Sequence, residues 1–466
     1  MATGTGDRTG AEQRVDITDR STPRGPDGIP VLGNAHQFLR DPLGFYEMLA
    51  HDHEGDVATY RVFGDRGYLL SNPADIERVL VSNNDDFVKG EVFEESLGTL
   101  AENGLVILEG EQWKRHREAF QPAFAMGRIQ SYADTMSEFA ARTAADWTDG
   151  ERLGIDDEMR ELTLDILAKT LFDIDVQDKK RAIGDASHAI SDRLDMRRLS
   201  AYLPLWVPTP ANRRCRQALD QFHDVVNELI DERQQKATDA EGSDRDDLLS
   251  LMLDAVGEDA AMSEAELHDE MITFLFAGHE TTALGLSYAW FLLANDPDRQ
   301  AKLHDEVDAL DDDPGVADLP ALEYTDRIVS ETLRLYPPAS SMLREPVQDV
   351  ELGGYTIPEG SVVVVPQWIV HRDERWYDDP DQFRPERWTD EFEAELPDYA
   401  YFPFGGGPRH CIGMRFARME LKLAIATIAR RWAFEPGTEP PLDLSVKLTL
   451  QPEHGIDVVP RRRSDV

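Results

Sequence analysis

Apolar positions recur at strand spacing near the two ends of the chain and at helix spacing between them. A helix predicted from Pro42 to about His53 is followed by strand-like runs at Val57–Phe63 and Tyr68–Leu70, split by the turn Gly64-Asp65-Arg66-Gly67. Beyond Pro73 the pattern is mostly helical to about residue 336, with stretches at 111–124, 128–147, 157–174, 212–238 and 245–256. The acidic segment Thr238–Asp247 reads as a solvated loop between the last two. Strand signals return only late, at Val350–Ile357, Ser361–Pro366 and Leu442–Leu450. No repeat period and no strand–helix alternation is present, which excludes a solenoid and a doubly wound sheet. The expected fold class is mainly α with small β-sheets (α+β).

The longest apolar stretch, Met271–Ala294, carries Gly278, His279 and Glu280 near its centre. Charge at mid-bilayer is costly, so the stretch reads as a buried helix and not as a membrane anchor. Ser263-Glu264-Ala265-Glu266 has the form of a capping box, placing the helix from about 264 to 295, roughly 50 Å long. Its middle, Ala277-Gly278-His279-Glu280-Thr281-Thr282, is weak helix sequence. A Thr hydroxyl bonding back to the preceding turn opens a helix locally and admits water, and an acid beside that alcohol relays protons.

Composition narrows the function. The chain has 466 residues, 41% of them hydrophobic, enough for a large core. Its 90 acidic and 48 basic residues give a net charge of −42. Such a surface repels phosphate backbones, so no nucleic-acid partner is expected. Nine Lys against 39 Arg in so acidic a chain suits a halophilic, salt-rich cytoplasm that screens self-repulsion. Two cysteines, Cys215 and Cys411, exclude a disulfide scaffold and a four-thiolate zinc site. Residues 1–28 are polar and rich in Gly, Thr and Asp, a flexible tail lacking the apolar core of a secretory signal. The remainder, 29–466, is expected to form a single domain.

Chemistry concentrates in Phe404-Gly405-Gly406-Gly407-Pro408-Arg409-His410-Cys411-Ile412-Gly413. A Gly-rich loop delivers one Cys to the start of a helix predicted over 412–431, where backbone N–H groups favour thiolate and lower the thiol pKa. The glycines allow close approach to something flat and large, and Arg409 supplies a cation. The G-K-[ST] ending of a phosphate loop is missing, and so is a C-x-x-C redox pair. A lone accessible thiolate with apolar walls and an Arg suits a haem iron with a Cys axial ligand.

This loop resembles the haem loop of the cytochrome P-450 monooxygenases. The hexapeptide 277–282 is similar to that family's [AG]-G-x-[DE]-T-[TS] pattern. The resemblance implies that Glu280 and Thr281 protonate dioxygen, that Ala277 lies against the haem, and that the 264–295 helix spans the haem. Trp113 and Arg117, four apart on a helix, match a W-x-x-x-R that binds a haem propionate; Arg344 matches a second such position. Glu331 and Arg334, at E-x-x-R spacing, would join Arg387 of Phe383-Arg384-Pro385-Glu386-Arg387-Trp388 to lock the region beneath the loop. Phe404, Arg409 and Gly413 complete the cofactor-binding set around Cys411, and the implied cofactor is haem b.

The implied activity is insertion of one oxygen atom from dioxygen into an apolar substrate: a lipid, terpenoid or steroid-like molecule. Pocket walls are expected at Phe93–Ile107, around Leu194–Tyr202, at Phe274 and at Ser340–Leu343. Only 55 residues follow Cys411, so electrons are expected from a separate ferredoxin. Arg409, Arg415, Arg418, Lys422, Arg430 and Arg431 against the single acid Glu420 mark a basic docking patch, with Lys114, Arg115 and Arg128 nearby. The alternatives are a peroxide-using haem-thiolate enzyme, which has no need of Glu280 and Thr281, and a non-catalytic haem sensor of gas. The salt-rich origin carries its own test. The thermal midpoint should rise by about 5 °C or more between dilute buffer and molar KCl, because salt screens the repulsion among 90 acids. A flat or falling midpoint in calorimetry refutes it.

Overall fold

The computed structural model describes residues 22–52, 55–98, 101–239, 247–257 and 262–463. Of the expected tail, residues 1–21 lie outside that range, as do 240–246 of the acidic loop. Residues 22–28 run along the first strand: the Arg24 carbonyl accepts the Thr59 N–H at 3.0 Å, and Gly25 leaves no room there for a Cβ.

The principal helices are α1 (Pro42–Asp52), α2 (Gly110–Phe120), α3 (Ala133–Ala145), α4 (Ile155–Leu171), α5 (Lys180–Arg193), α6 (Pro210–Asp239), α7 (Glu264–Ala294), α8 (Glu323–Leu335) and α9 (Met414–Ala429). The helix expected over 128–147 is broken at Ser131 and Tyr132, and α5 was not among the expected stretches. Helix α7 is the axis of the body. Ser263 Oγ accepts the Glu266 N–H, and the Glu266 carboxylate accepts the Ser263 N–H at 2.6 Å, closing the capping box. From Met271 to Ala294 all its residues are buried except Ala277, Gly278 and Thr281. Helix α4 lies against it so closely that a Cβ on Gly278 would reach Leu167 Cδ1 at 2.8 Å. Helix α9 crosses below, with Leu421 against Gly285.

One five-stranded sheet stands beside the helices. Its members are β1 (Val57–Val62), β2 (Asp65–Leu70), β3 (Phe87–Val88), β4 (Met342–Pro346) and β5 (Val362–Val365), in spatial order β1-β2-β5-β4-β3. Strands β2 and β5 are parallel and the other pairs antiparallel. The late run Val350–Ile357 is not one strand but the hairpin Val350–Leu352/Tyr355–Ile357, because Gly353 and Gly354 both take positive φ. A second hairpin pairs β6 (Leu444–Val446) with β7 (Leu450–Pro452).

The E-x-x-R pair is not surface decoration. Glu331 and Arg334 are fully buried. Glu331 accepts two bonds from the Arg334 guanidinium at 2.8 Å each, one from Arg387 Nε at 2.9 Å and one from the Trp388 indole at 2.9 Å. The Arg384 N–H adds another at 2.9 Å. Arg334 passes the restraint on to the His371 carbonyl at 2.8 Å. The His371 Nε2 accepts the Phe402 N–H at 3.0 Å, where the chain turns toward Cys411. That acceptor role needs a neutral ring, and burial, with Arg334 and Arg372 nearby, pushes the His371 pKa well below its usual value. Glu331→Ala strands two buried guanidiniums, so it should lower stability by about 3–5 kcal/mol in denaturant titrations. A loss below about 1 kcal/mol would show that the cluster is replaceable.

Candidate functional site

The Cys411 loop is a closed turn. The Cys411 N–H donates to the Phe404 carbonyl at 2.9 Å, and Gly405 N–H to the Phe402 carbonyl at 2.9 Å. Gly407 takes φ +63° and leaves no space between itself and the Leu80 carbonyl, so only glycine fits. The Tyr399 ring fills the equivalent space at Gly406. These two glycines therefore serve the loop's packing and not, as expected, the approach of a flat ligand. At Gly413 the missing Cβ does face the site, 3.9 Å from Cys411 Sγ and 3.8 Å from the Phe124 ring. Cys411 is exposed on one side and closely backed by protein on the others. The expectation of a lowered thiol pKa is corrected: burial raises it, and the Gly413 and Met414 amides and the Arg117 guanidinium only partly offset that.

Positive charge gathers at one edge. Strands β3 and β4 end on the pair Val88–Glu345, and Lys89, the next residue, lies within electrostatic reach of Arg344. Arg409 donates to the Leu108 carbonyl at 2.6 Å, pairs with Glu109, and lies 4.1 Å above the Trp113 ring. Lys89 Nζ donates to the same Leu108 carbonyl at 3.2 Å, and its N–H to Glu109 at 3.1 Å. Burial, then repulsion from Arg409 and Arg344, drives the Lys89 pKa down to about 7, with Glu109 and Glu270 opposing. Burial likewise lowers Arg344 to about 10. Three crowded cations with too little negative charge among them fit an incoming dianion. Arg117 instead donates to the His410 carbonyl at 2.9 Å and meets His410 Nε2 at 3.1 Å. The W-x-x-x-R pair thus grips the loop itself, through Arg409 and His410.

Above the loop, Ala277 and Thr281 present the one unburied face of the middle of α7. Thr281 Oγ1 donates back to the Ala277 carbonyl at 2.8 Å, yet the helix runs on uninterrupted, without the expected local opening. Glu280 is buried and turned elsewhere: it accepts from Ser187 Oγ on α5 and from the Gln451 amide on β7 at 2.5 Å. Acid and alcohol are sequence neighbours whose hydrogen bonds run in different directions. A ladder sets α7 on α2: Gln112 to Glu266 at 2.6 Å, His116 to Glu270 at 2.7 Å, and the rings of Phe120 and Phe274 at 5.5 Å. Phe274 also stacks on Phe124 at 5.9 Å, and so joins α7 to Gly413 and the sulfur.

Residues 23–459 match the family model described as Cytochrome P450. This chain belongs to the cytochrome P450 family. It is 37% identical to cyclooctatin synthase of Streptomyces melanosporofaciens over 424 residues, 88% of this chain and 89% of that protein. It is 35% identical to pentalenene oxygenase of Streptomyces avermitilis over 412 residues, 87% and 90% respectively. The fold matches the structure of retinoic acid bound cyanobacterial CYP120A1 with a TM-score of 0.83 at 25% identity, covering 95% of this chain and 100% of that one. As a P450 the chain is an oxidoreductase of the monooxygenase type whose cofactor is haem b. The accessible Cys411 sulfur, the cation cluster and the open face of α7 fit that group.

Five of the six cations expected to form a docking patch are spoken for. Arg409 pairs with Glu109, Arg418 with Asp326 at 2.9 Å, Arg431 with Asp313 at 2.6 Å, and Arg430 donates to the Val307 and Leu310 carbonyls. Lys422 donates to the Leu319 carbonyl at 3.1 Å. Arg415 is exposed and makes no ion pair among the described residues. Sequence reasoning missed Lys89, Glu109, His116 and Ser187; only a strand register or a helix pairing reveals them.

Lys89 yields a pH test. Its pKa is about 7 here against about 10.4 for a free lysine. An anion seated beside it restores the proton, so binding takes up a proton between those values and affinity falls as pH rises through that window. Haem release to a scavenger should speed up about tenfold across the window, and Lys89→Met should flatten the dependence. An unchanged slope in the variant excludes Lys89 from the site.

Proposed function

We propose that this P450 inserts one oxygen atom from dioxygen into a C–H or C=C bond of a terpenoid-like cyclic hydrocarbon or its mono-ol. Electrons would come from a separate cytoplasmic ferredoxin. The accessible Cys411 sulfur beside an under-neutralised cation cluster carries the reading. Relatives at 34–37% identity bear the names pentalenene oxygenase, cyclooctatin synthase and cyclooctat-9-en-7-ol 5-monooxygenase, which points to apolar cyclic substrates. Haem b held through Cys411 would supply dioxygen activation, with the second oxygen atom leaving as water.

The chain's own residues do the rest. Lys89, Arg344 and Arg409 would neutralise the cofactor's anionic edge, and Trp113 steadies Arg409. Ala277, Thr281 and Phe274 bound the space over the cofactor, and the apolar walls exclude water. The Thr281 hydroxyl holds its proton at Oγ1 on the open face of α7, where it donates to the Ala277 carbonyl and would be available for proton donation. Glu280 supplies further protons only by leaving Ser187 and Gln451, its present partners. Arg415, with Arg115 exposed on α2, offers an acidic ferredoxin its landing place, whereas Lys114 pairs with Glu111.

The reduced carbon-monoxide difference spectrum should show a thiolate-type band that Cys411→Ala abolishes. With ferredoxin, its reductase, NAD(P)H and dioxygen, the protein should hydroxylate or epoxidise pentalenene-like alkenes. Thr281→Ala should cut product about tenfold while dioxygen is still consumed. Arg415→Glu should slow reduction without altering substrate binding. An imidazole-type spectrum, turnover on peroxide alone, or carbon-monoxide binding without any product would each overturn the reading.

A further inference from the structure

We propose that Glu270, fed from Glu266 through His116, takes up the proton that accompanies the arrival of an electron at the haem. The three side chains form one row across the contact between α2 and α7. His116 is fully buried, and both its ring nitrogens face carboxylates: Nδ1 lies 2.7 Å from Glu270 Oε1, and Nε2 lies 3.7 Å from Glu266 Oε1. Glu266 reaches water, with 17% of its side chain exposed, whereas Glu270 is wholly enclosed. An imidazole between two carboxylates passes a proton inward by gaining it at one nitrogen and releasing it at the other.

The inner end of the row is left open. Among the described residues, neither Glu270 Oε2 nor His116 Nε2 has a hydrogen-bond partner, although both are buried. Glu331, a carboxylate with a structural task, has both oxygens bonded several times over. Burial raises the Glu270 pKa and Asp269 adds to this, while His116 and the Leu105 N–H oppose it. A carboxyl poised in that way titrates in response to a small change in the local field. On the far side of α2 packs the short helix Leu248–Asp254, whose one titratable group, Asp254, is exposed. The Phe120 ring lies 5.9 Å from that of His116 and brings no charge.

The row ends beside the cofactor's edge. Leu105 turns its N–H toward Glu270, and its carbonyl accepts Lys89 Nζ at 3.5 Å, so the backbone of one residue separates the carboxyl from the cation cluster. Glu270 is among the charges acting on Lys89, together with Arg409 and Arg344. It stands seven residues before Ala277, two turns away on the same side of α7. An electron delivered to the haem adds negative charge to a water-poor interior, where it costs far more than in bulk. One proton on Glu270 cancels that charge. The electron comes from the external donor and remains with the haem. The proton comes from water by way of Glu266 and His116, and the carboxylate becomes a carboxylic acid. The pathway requires the haem at Cys411 and neither a particular substrate nor a particular donor.

Spectroelectrochemical titration of the haem-loaded protein without substrate tests the proposal. The midpoint potential should fall as pH rises between about 5 and 8, because reduction draws in a proton there. Glu270→Gln, which keeps the size of the side chain, should leave the potential independent of pH. The infrared difference between reduced and oxidised protein should show a protonated-carboxyl band that the same variant lacks. Glu266→Gln should keep the slope yet slow proton uptake about tenfold, read by an indicator dye in weak buffer. The carbon-monoxide difference spectrum should stay unchanged in both variants, which separates a lost proton from lost folding. A wild-type potential that ignores pH overturns the proposal. So does a slope that survives in Glu270→Gln, a slope that vanishes in Lys89→Met, or uptake in Glu266→Gln as fast as in the wild type.

Discussion

A single buried carboxylate holds the site together. Glu331 neutralises two guanidiniums that no solvent reaches, and those guanidiniums hold the carbonyls of 371, 378, 379 and 380. The Cys411 loop hangs from that lattice through His371 and Phe402. Burying such charges costs several kcal/mol per ion, offset here because every face of the carboxylate has a partner. The return is rigidity. A thiol that must meet a large planar group at fixed distance cannot sit on a loop free to breathe, and the left-handed Gly407 packed on Leu80 removes the remaining slack.

Charge is used twice against the background of the chain. Over most of the surface acids repel one another and keep the molecule apart from other anions. At the edge of the site and at the start of α6 the sign is inverted. The inner inversion is dry and crowded, and it depresses Lys89 and Arg344 until an anion arrives. The outer one is wet: Arg213, Arg214 and Arg216 are exposed at the start of α6, whereas Arg197 and Arg198 in the preceding connection pair with Asp195. The same residue type serves both, because a guanidinium keeps its charge under burial far better than an ammonium does.

The parts of this arrangement that are local in sequence were legible. The loop 404–413, the capping box at 263–266, the hexapeptide 277–282 and the helical body with small sheets all follow from neighbours within a few residues. What depends on partners distant in the chain was not. Lys89 enters the site because the short β3–β4 pairing places it against Leu108 and Glu109, and nothing in its own surroundings in the sequence announces that. Spacing alone made Glu331–Arg334 a weak signal, because their burial comes from segments some fifty residues away and only the family resemblance tied them to Arg387. The basic stretch 409–431 counted as free charge because its acids, Asp313 and Asp326, lie about a hundred residues upstream. The expected low thiol pKa failed for a related reason: the helix-start amides are local, but the burial that outweighs them is tertiary.

The connection from α5 to α6 is linked to the buried Glu280 by bonds already in place. The Met196 N–H donates to the Val446 carbonyl at 3.0 Å, and Arg197 donates to Ser445 Oγ at 2.8 Å, so the root of that loop is tied to the β6–β7 hairpin. That hairpin carries Gln451, and α5, which leads into the same loop, carries Ser187. Both hold Glu280. A movement of α5 or of the hairpin therefore breaks the bonds that hold this carboxylate away from the open face of α7 on which Thr281 lies.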